Sequence, residues 1–193
     1  MTINLSKGER APLTKDGTNP GIVTVGLGWN AARGGSTYDL DASAFICKDV
    51  GGDPHIISDS HFIYFGNKAS PDGSVVHSGD NLTGDGDGDD EQIVIDFSKL
   101  PAECSEVSIV VTIYDAKNKG QNFGMVNACY VRAFGSGMDQ EIKYDLADNF
   151  ATATVVQFGS FFKDATGQWK FKAVTQGFDS TLAEVVKLYG GDA

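Results

Sequence analysis

Apolar and polar residues alternate along several short stretches of this chain. Apolar side chains occupy every second position in residues 23–29, 40–46 and 107–113. Because successive side chains of a β-strand point to opposite faces, this period of two predicts strands with one buried face. Their turn boundaries and residue types predict further strands at 61–65, 92–97, 128–134, 141–146, 154–163 and 168–175.

The end of the chain follows a different period. A candidate N-cap, Asp179, and a closing Gly190-Gly191 pair frame apolar residues at helical spacing, namely Phe178, Leu182, Val185, Val186 and Tyr189. No stretch between the predicted strands is long enough for the helices of βαβ crossovers. We therefore expect an all-β fold, an antiparallel β-sandwich with a short C-terminal helix, formed by one domain spanning residues 1–193.

Negative charge is concentrated in one glycine-rich segment, residues 80–91. Between Lys68 and Lys99 there is no Lys or Arg, while the formal net charge of the whole chain is -11. The acids of this stretch are Asp72, Asp80, Asp85, Asp87, Asp89, Asp90, Glu91 and Asp96. Carboxylates brought this close repel one another, so the segment needs a counter-ion in order to converge.

Calcium is the counter-ion that this composition favours. It takes about six to eight oxygen ligands from carboxylates, amides, backbone carbonyls and water. Gly84, Gly86 and Gly88 permit the backbone turns that direct carbonyls inward. Asp85, Asp87 and Asp89 match the first, third and fifth positions of an EF-hand, but Asp90 and Asp96 stand where that loop requires Gly and Glu, so an EF-hand is excluded. A merely solvated acidic loop is the alternative.

A second pair of acids, Asp39 and Asp41, stands at the start of a predicted strand. Their spacing of two places both side chains on one face, opposite the apolar stripe that begins at Leu40. Alone, they could equally be two surface acids.

Composition excludes several functions. The isoelectric point near 4.5 argues against nucleic acid as a partner, because backbone phosphates are bound by Lys and Arg. No apolar run is long enough for a transmembrane segment, and the N-terminus lacks the basic and apolar regions of a secretion signal, so a cytoplasmic protein is expected. Cys47, Cys104 and Cys129 are too scattered to predict disulfides or a zinc site.

Several ordered motifs resemble one known family. They read GLGWN (26–30), YDLDASAF (38–45), FGNKASPDGSV (65–75), GDNLTG (79–84), GDDEQI (88–93), VTIYDA (111–116) and QNFGMV (121–126). Together they resemble the TerD family of tellurium-resistance and stress-response proteins. The resemblance implies a β-sandwich that binds Ca²⁺ at two neighbouring sites, has no enzymatic activity, and works with other tellurite-resistance or stress proteins, with the inner face of the membrane as one place of assembly.

The resemblance also implies a set of metal ligands. Matched motif by motif, they are Asp39, Asp41, Asp80, Asn81, Asp89, Asp90 and Glu91, with Asn67 and Asp72 as additional candidates from an adjacent loop. Asp85 and Asp87 fall where relatives vary, so their backbone carbonyls rather than their side chains are expected to bind.

Three function classes follow from these features. The first is a non-enzymatic, calcium-dependent binding or scaffold module associated with tellurite resistance. The second is a calcium-dependent module for a small ligand such as a sugar or nucleotide. The third is a metal-dependent hydrolase, which would need a nucleophile or histidine cluster; His55, His61 and His77 lack the spacing for one.

Overall fold

The chain folds into two packed β-sheets, which confirms the predicted all-β sandwich. The computed structural model describes residues 2–3, 5–30, 37–84, 88–126, 128–146 and 150–192. The strands are β1 (Thr2–Ile3), β2 (Arg10–Pro12), β3 (Ile22–Gly28), β4 (Leu40–Val50), β5 (Asp53–Ile56), β6 (Phe62–Ile63), β7 (Val75–His77), β8 (Glu91–Asp96), β9 (Glu106–Ile113), β10 (Tyr130–Phe134), β11 (Glu141–Asp145), β12 (Val155–Lys163) and β13 (Trp169–Phe178). The α-helices are α1 (Ala116–Lys119) and α2 (Leu182–Leu188).

Strand order places β4 and β8 in different sheets. The first sheet has the order β1-β11-β10-β3-β8-β7, and the second has the order β2-β13-β12-β9-β4-β5 with β6 paired to β4. The described strand pairs are antiparallel apart from the parallel pair of β1 and β11. The acidic segment leads directly into β8, and the second acidic pair lies at the start of β4.

Two apolar layers bury the opposite faces of β4. Its Leu40 and Ile46 belong to the main core between the sheets, as the alternation predicts. Its other face carries Phe45, which stacks on Tyr189, the residue that follows α2, at 4.4 Å between ring centroids. Helix α2 therefore covers the outer face of the second sheet with an apolar layer of its own, which also contains Val185 and Val186.

The C-terminal helix begins later than the sequence pattern predicts. Phe178 is the last residue of β13, and the N-cap is Thr181 rather than Asp179. Thr181 and Glu184 form a reciprocal capping box, in which each side chain accepts a hydrogen bond from the other residue's backbone N–H. This motif satisfies two of the unpaired donors at a helix start, which explains why the helix begins there.

Two other local features differ from the sequence predictions. No strand was predicted directly after β4, but Gly51 and Gly52 adopt positive φ and turn the chain back into the edge strand β5. Pro54 is tolerated there because an edge strand has an unpaired side. Of the strand predicted over 61–65, only β6 forms. No helix in the described part of the chain has the length and apolar character needed to cross a membrane.

Candidate metal centre

Three carboxylates from two distant segments converge at the start of β4. Asp39 and Asp41 come from the chain entering and opening β4, and Asp80 comes from the loop before β8. One oxygen from each side chain lies within 4.8 Å of the others. We call Asp39, Asp41 and Asp80 the carboxylate cluster. Like charges this close raise one another's free energy unless a cation or a proton intervenes.

Burial makes that repulsion more costly. Asp41 is only 2% exposed, and burial together with the charges of Glu91, Asp39 and Asp80 raises its pKa to about 8. Burial and the charge of Asp80 raise the pKa of Asp39 to about 6. Lys119 opposes both shifts without cancelling them. Among the described residues, the buried Oδ1 of Asp39 has no hydrogen-bond partner.

Glu91 links the two sheets beside the cluster. It is fully buried at the start of β8, and its Oε2 accepts a hydrogen bond of 2.8 Å from the backbone N–H of Ala42 in β4. Its Oε1 accepts one of 3.3 Å from the N–H of Asn81, and His77 Nε2 lies 3.4 Å from Oε2. Glu91 therefore joins the cluster's two source segments while adding a negative charge beside them.

Asp90 and Asn81 shape the loop that delivers Asp80. Asp90 accepts hydrogen bonds from the backbone N–H of Trp29 at 2.9 Å and from Asn81 Nδ2 at 3.1 Å. Asn81 Oδ1 accepts from the N–H groups of Thr83 and Gly84. Gly84 has a φ of +67° and packs so close to the Trp29 ring that a Cβ would lie 2.3 Å from its Nε1. This tight turn therefore requires glycine.

Asp89 points away from the cluster. Its two carboxylate oxygens accept hydrogen bonds from Nε and Nη2 of Arg132 at 2.8 and 3.0 Å. Tyr130 and Gln92 donate further hydrogen bonds to them. Burial alone would raise its pKa, but these donors hold the pKa of Asp89 below its ordinary value. Gly26 leaves the space for this side chain, because a Cβ there would lie 2.2 Å from Asp89 Oδ2.

Comparison with known proteins identifies the family of this chain. The model of the TerD domain matches residues 1–189. The chain belongs to the TerD family. The resemblance that the ordered motifs carry is thereby confirmed.

The relatives of this TerD-family chain cover its full length. It is 44% identical to the uncharacterized protein YceE of Bacillus subtilis, with 98% of each chain covered. It is 42% identical to general stress protein 16U of the same organism over 98% of each chain, and 42% identical to tellurium resistance protein TerD of Serratia marcescens over 100% of each. The names of the latter two describe stress response or resistance rather than a catalysed reaction.

Solved structures share the fold. A protein of unknown function, SAV2460, superimposes with a TM-score of 0.73 at 23% identity, covering 90% of this chain and 98% of its own. A homologue of a telluride resistance protein (TerD) from Streptomyces coelicolor A3(2) gives a TM-score of 0.71 at 24% identity, covering 86% of this chain and 95% of its own. The two-sheet architecture is therefore that of TerD-like proteins.

The structure sorts the ligand candidates of this TerD chain into three groups. Asp39, Asp41 and Asp80 form the cluster, while Asn81, Asp90 and Glu91 surround it through the hydrogen bonds described above. Asn67, Asp72 and Asp89 are not brought to it. Asp85 and Asp87, whose carbonyls were expected to bind, lie outside the described residues, as does Gly86.

Asn67 and Asp72 have local structural partners instead. Asn67 Nδ2 donates to the backbone oxygens of Phe62 and Ser60 at 2.8 and 3.2 Å. Asp72 Oδ1 accepts hydrogen bonds from Ser70 Oγ and the N–H of Ser74, which closes the turn before β7. Both side chains therefore order the loop between β6 and β7.

Two residues of this region carry no motif that predicts their position. His77 was assigned no role, yet it is only 3% exposed and lies beside Glu91. Arg132 alternates with the buried Val131 and Ala133 in β10, so its side chain lies on the face away from the core. The alternation could have identified that face, but only the sheet register places Asp89 over it.

Proposed function

We propose that this chain is a calcium-binding, non-enzymatic protein of the tellurium-resistance and stress response, acting as a cytoplasmic binding or scaffold module. The observation that carries the proposal is the convergence of Asp39, Asp41 and Asp80 within 4.8 Å, with a buried Asp39 oxygen that has no partner in the described part of the chain. Family membership supports the stress-response role, since full-length relatives carry those names.

The donor chemistry of the cluster fits calcium. All three side chains offer carboxylate oxygens, which hard divalent cations prefer, whereas zinc sites draw mainly on Cys and His. Three carboxylates supply only part of the about six to eight oxygens that calcium takes, so water and carbonyl oxygens would complete the set. Asp39, Asp41 and Asp80 would hold one ion; the second ion of the pair that the resemblance implies stays a prediction.

A bound ion would supply positive charge where the fold has collected negative charge. The chain's own residues do the remaining work: Glu91 joins β8 to β4, and Asn81 and Asp90 shape the turn that carries Asp80. Loading would therefore fix Asp80 against the start of β4. We infer that partners among other resistance or stress proteins recognise this ordered end of the sandwich.

Calorimetric titration of chelator-treated protein with CaCl₂ tests the proposal, with MgCl₂ as the ion control. We expect calcium-selective binding that Asp39→Asn and Asp80→Asn each weaken at least tenfold. Asp53→Asn, at an exposed acid of the edge strand β5, is the matched control and should bind like the parent chain. At a hundredfold excess over Kd, calcium should stabilise the fold by about 2.7 kcal/mol.

The same samples give a second readout by thermal melting. A gain of this size raises Tm by roughly 5–10 °C for a chain of this length. No heat and no melting shift would leave the acidic segment merely solvated and reject the calcium site. Equal losses in all three variants would reject this choice of ligands.

A further inference from the structure

A groove of about 450 Å³ opens on the outer face of the second sheet, next to the carboxylate cluster. Its floor includes Asp41, Thr112 and Val155, which stand side by side on β4, β9 and β12 in the strand register. Tyr114 and Leu182 also line it. A volume of this size lies within the range of about 300–1,000 Å³ typical of small-ligand sites.

Asp41 belongs to both the groove and the cluster. Its side chain is almost fully buried, yet it lines the groove. A carboxylate that lines a groove can accept hydrogen bonds from the hydroxyl groups of a ligand. The groove therefore gives a ligand access to one acid of the cluster.

The wall beside Asp41 is aromatic. The rings of Phe65 and Tyr114 meet edge to face at 6.1 Å between centroids, and Tyr114 is 51% exposed. An exposed aromatic ring next to a carboxylate suits a ligand with one apolar face and one edge of hydroxyl groups. Hydroxyls donate to carboxylates and are also neutral oxygen ligands for a hard cation.

Charge restricts the ligand further. The chain carries a net charge of -11, and Asp115 adds a second acid to the groove lining, where Lys117 is already paired with Glu184 at 3.5 Å. Lys119 Nζ lies 5.1 Å from the ring centroid of Tyr114, but Asp41, Asp115 and the other acids of the cluster outnumber the cations, so an anionic ligand would be repelled. An organic cation would compete with the metal ion for Asp41. A neutral ligand meets neither obstacle.

We propose that this groove binds the polyhydroxylated ring of a saccharide, with its hydroxyl edge at Asp41 and its apolar face against Tyr114. The proposal rests on the calcium function proposed above, because the ion neutralises the acids that the hydroxyl edge approaches. It adds a ligand class and a recognition surface to that function.

Amide NMR titration tests the groove, using the methyl glycosides of mannose, galactose and glucose as probes with CaCl₂ or EDTA present. At least one glycoside should shift the amide signals of Thr112 and Tyr114 in the calcium form only. Tyr114→Ala should weaken the binding of that glycoside at least tenfold, and Tyr114→Trp should retain the binding. Leu188→Ala, at an exposed residue of α2 outside the groove, is the matched control and should change affinity less than twofold.

The outcomes separate the two proposals. Calcium binding by calorimetry with no glycoside shift at the groove overturns the saccharide site and leaves the calcium function standing. No calcium binding overturns both. Equal glycoside binding in EDTA, or binding of tetramethylammonium chloride in place of the glycosides, also overturns the ion-adjacent saccharide site.

Discussion

The carboxylate cluster and the Asp89–Arg132 pair each contain a buried carboxyl group but differ in what neutralises it. Among the described residues, Asp41 is affected by the charges of Glu91, Asp39 and Asp80, with Lys119 opposing them, and the pKa of Asp41 rises to about 8. Asp89, with a side chain only 1% exposed, meets Arg132, and its pKa falls below its ordinary value. Burial alone therefore does not decide the charge of a carboxyl group; the partner does.

The acidic segment before β8 contributes both to the carboxylate cluster and to the pair of Asp89 and Arg132. Three consecutive acids point to three different parts of the fold: Asp89 to Arg132, Asp90 to the backbone of Trp29, and Glu91 to the backbone of Ala42. These contacts anchor the segment on both sheets. The anchored segment can then hold Asp80 close to Asp39 and Asp41 against their mutual repulsion.

Removing the cation from the neutralised pair should have the largest effect. Arg132→Ala leaves Asp89 buried without its main partner, and we expect a loss of about 3 kcal/mol, the low end for a buried ion pair, because Arg132 keeps partial solvent access. Urea unfolding of the chelator-treated protein measures it. The double variant Asp89→Asn/Arg132→Gln should lose less than Arg132→Ala; an equal or greater loss would assign the effect to packing of the arginine stem.

Raising the pH should destabilise the ion-free fold through Asp41, whereas it stabilises a fold in which a carboxyl group has a lowered pKa. The pKa of Asp41 rises from 3.8 to about 8 on folding, so the folded state holds a proton that the unfolded state has lost. Ion-free stability should therefore be complete below pH 3.8 for this group and fall as pH rises toward 8, by on the order of 1–2 kcal/mol between pH 6 and 8.

Melting in EDTA across that range checks the pH effect. Calcium must displace the same proton, so titrations in buffers of different ionisation heat should show release of about one proton at pH 7. Asp41→Asn should abolish both the pH slope and the proton release. A slope that persists in this variant would assign the titration to another group.

The same substitution at the two acids should give opposite signs. In EDTA at pH 8, Asp41→Asn removes a repelled charge and should raise Tm by about 2–4 °C, equivalent to about 1 kcal/mol. Asp89→Asn removes the partner of Arg132 and should lower Tm. Differential scanning calorimetry of the two variants side by side measures both Tm shifts. Shifts of the same sign would contradict the claim that the two acids differ in how they are neutralised.

The smallest effect is expected at the acid that belongs to neither group. Asp72 closes a turn before β7 through Ser70 and Ser74, away from the cluster. Asp72→Asn should therefore leave the calcium Kd unchanged within twofold in the calorimetric titration. A tenfold weaker Kd would return Asp72 to the ligand set that its motif implies.

Local patterns predicted most of the fold because a strand's alternation is a local property. The stripes at Leu40 and Ile46 and at Val107 and Ile113 face the main core as their period predicts. The errors occurred where another interaction competes with the pattern. The capping box at Thr181 shortens the helix, and two glycines with positive φ form a hairpin between β4 and β5, a strand that the pattern does not predict.

The sequence by itself determined the fold class, the acidic segment and membership of the TerD family, because each depends on residue types and their order. Only the tertiary structure decided which acids meet. Glu91 reaches the backbone of a residue 49 positions away, and Asp89 pairs with an arginine 43 positions away. Contacts at such separations depend on sheet register and on how the two sheets stack, and no local spacing encodes either.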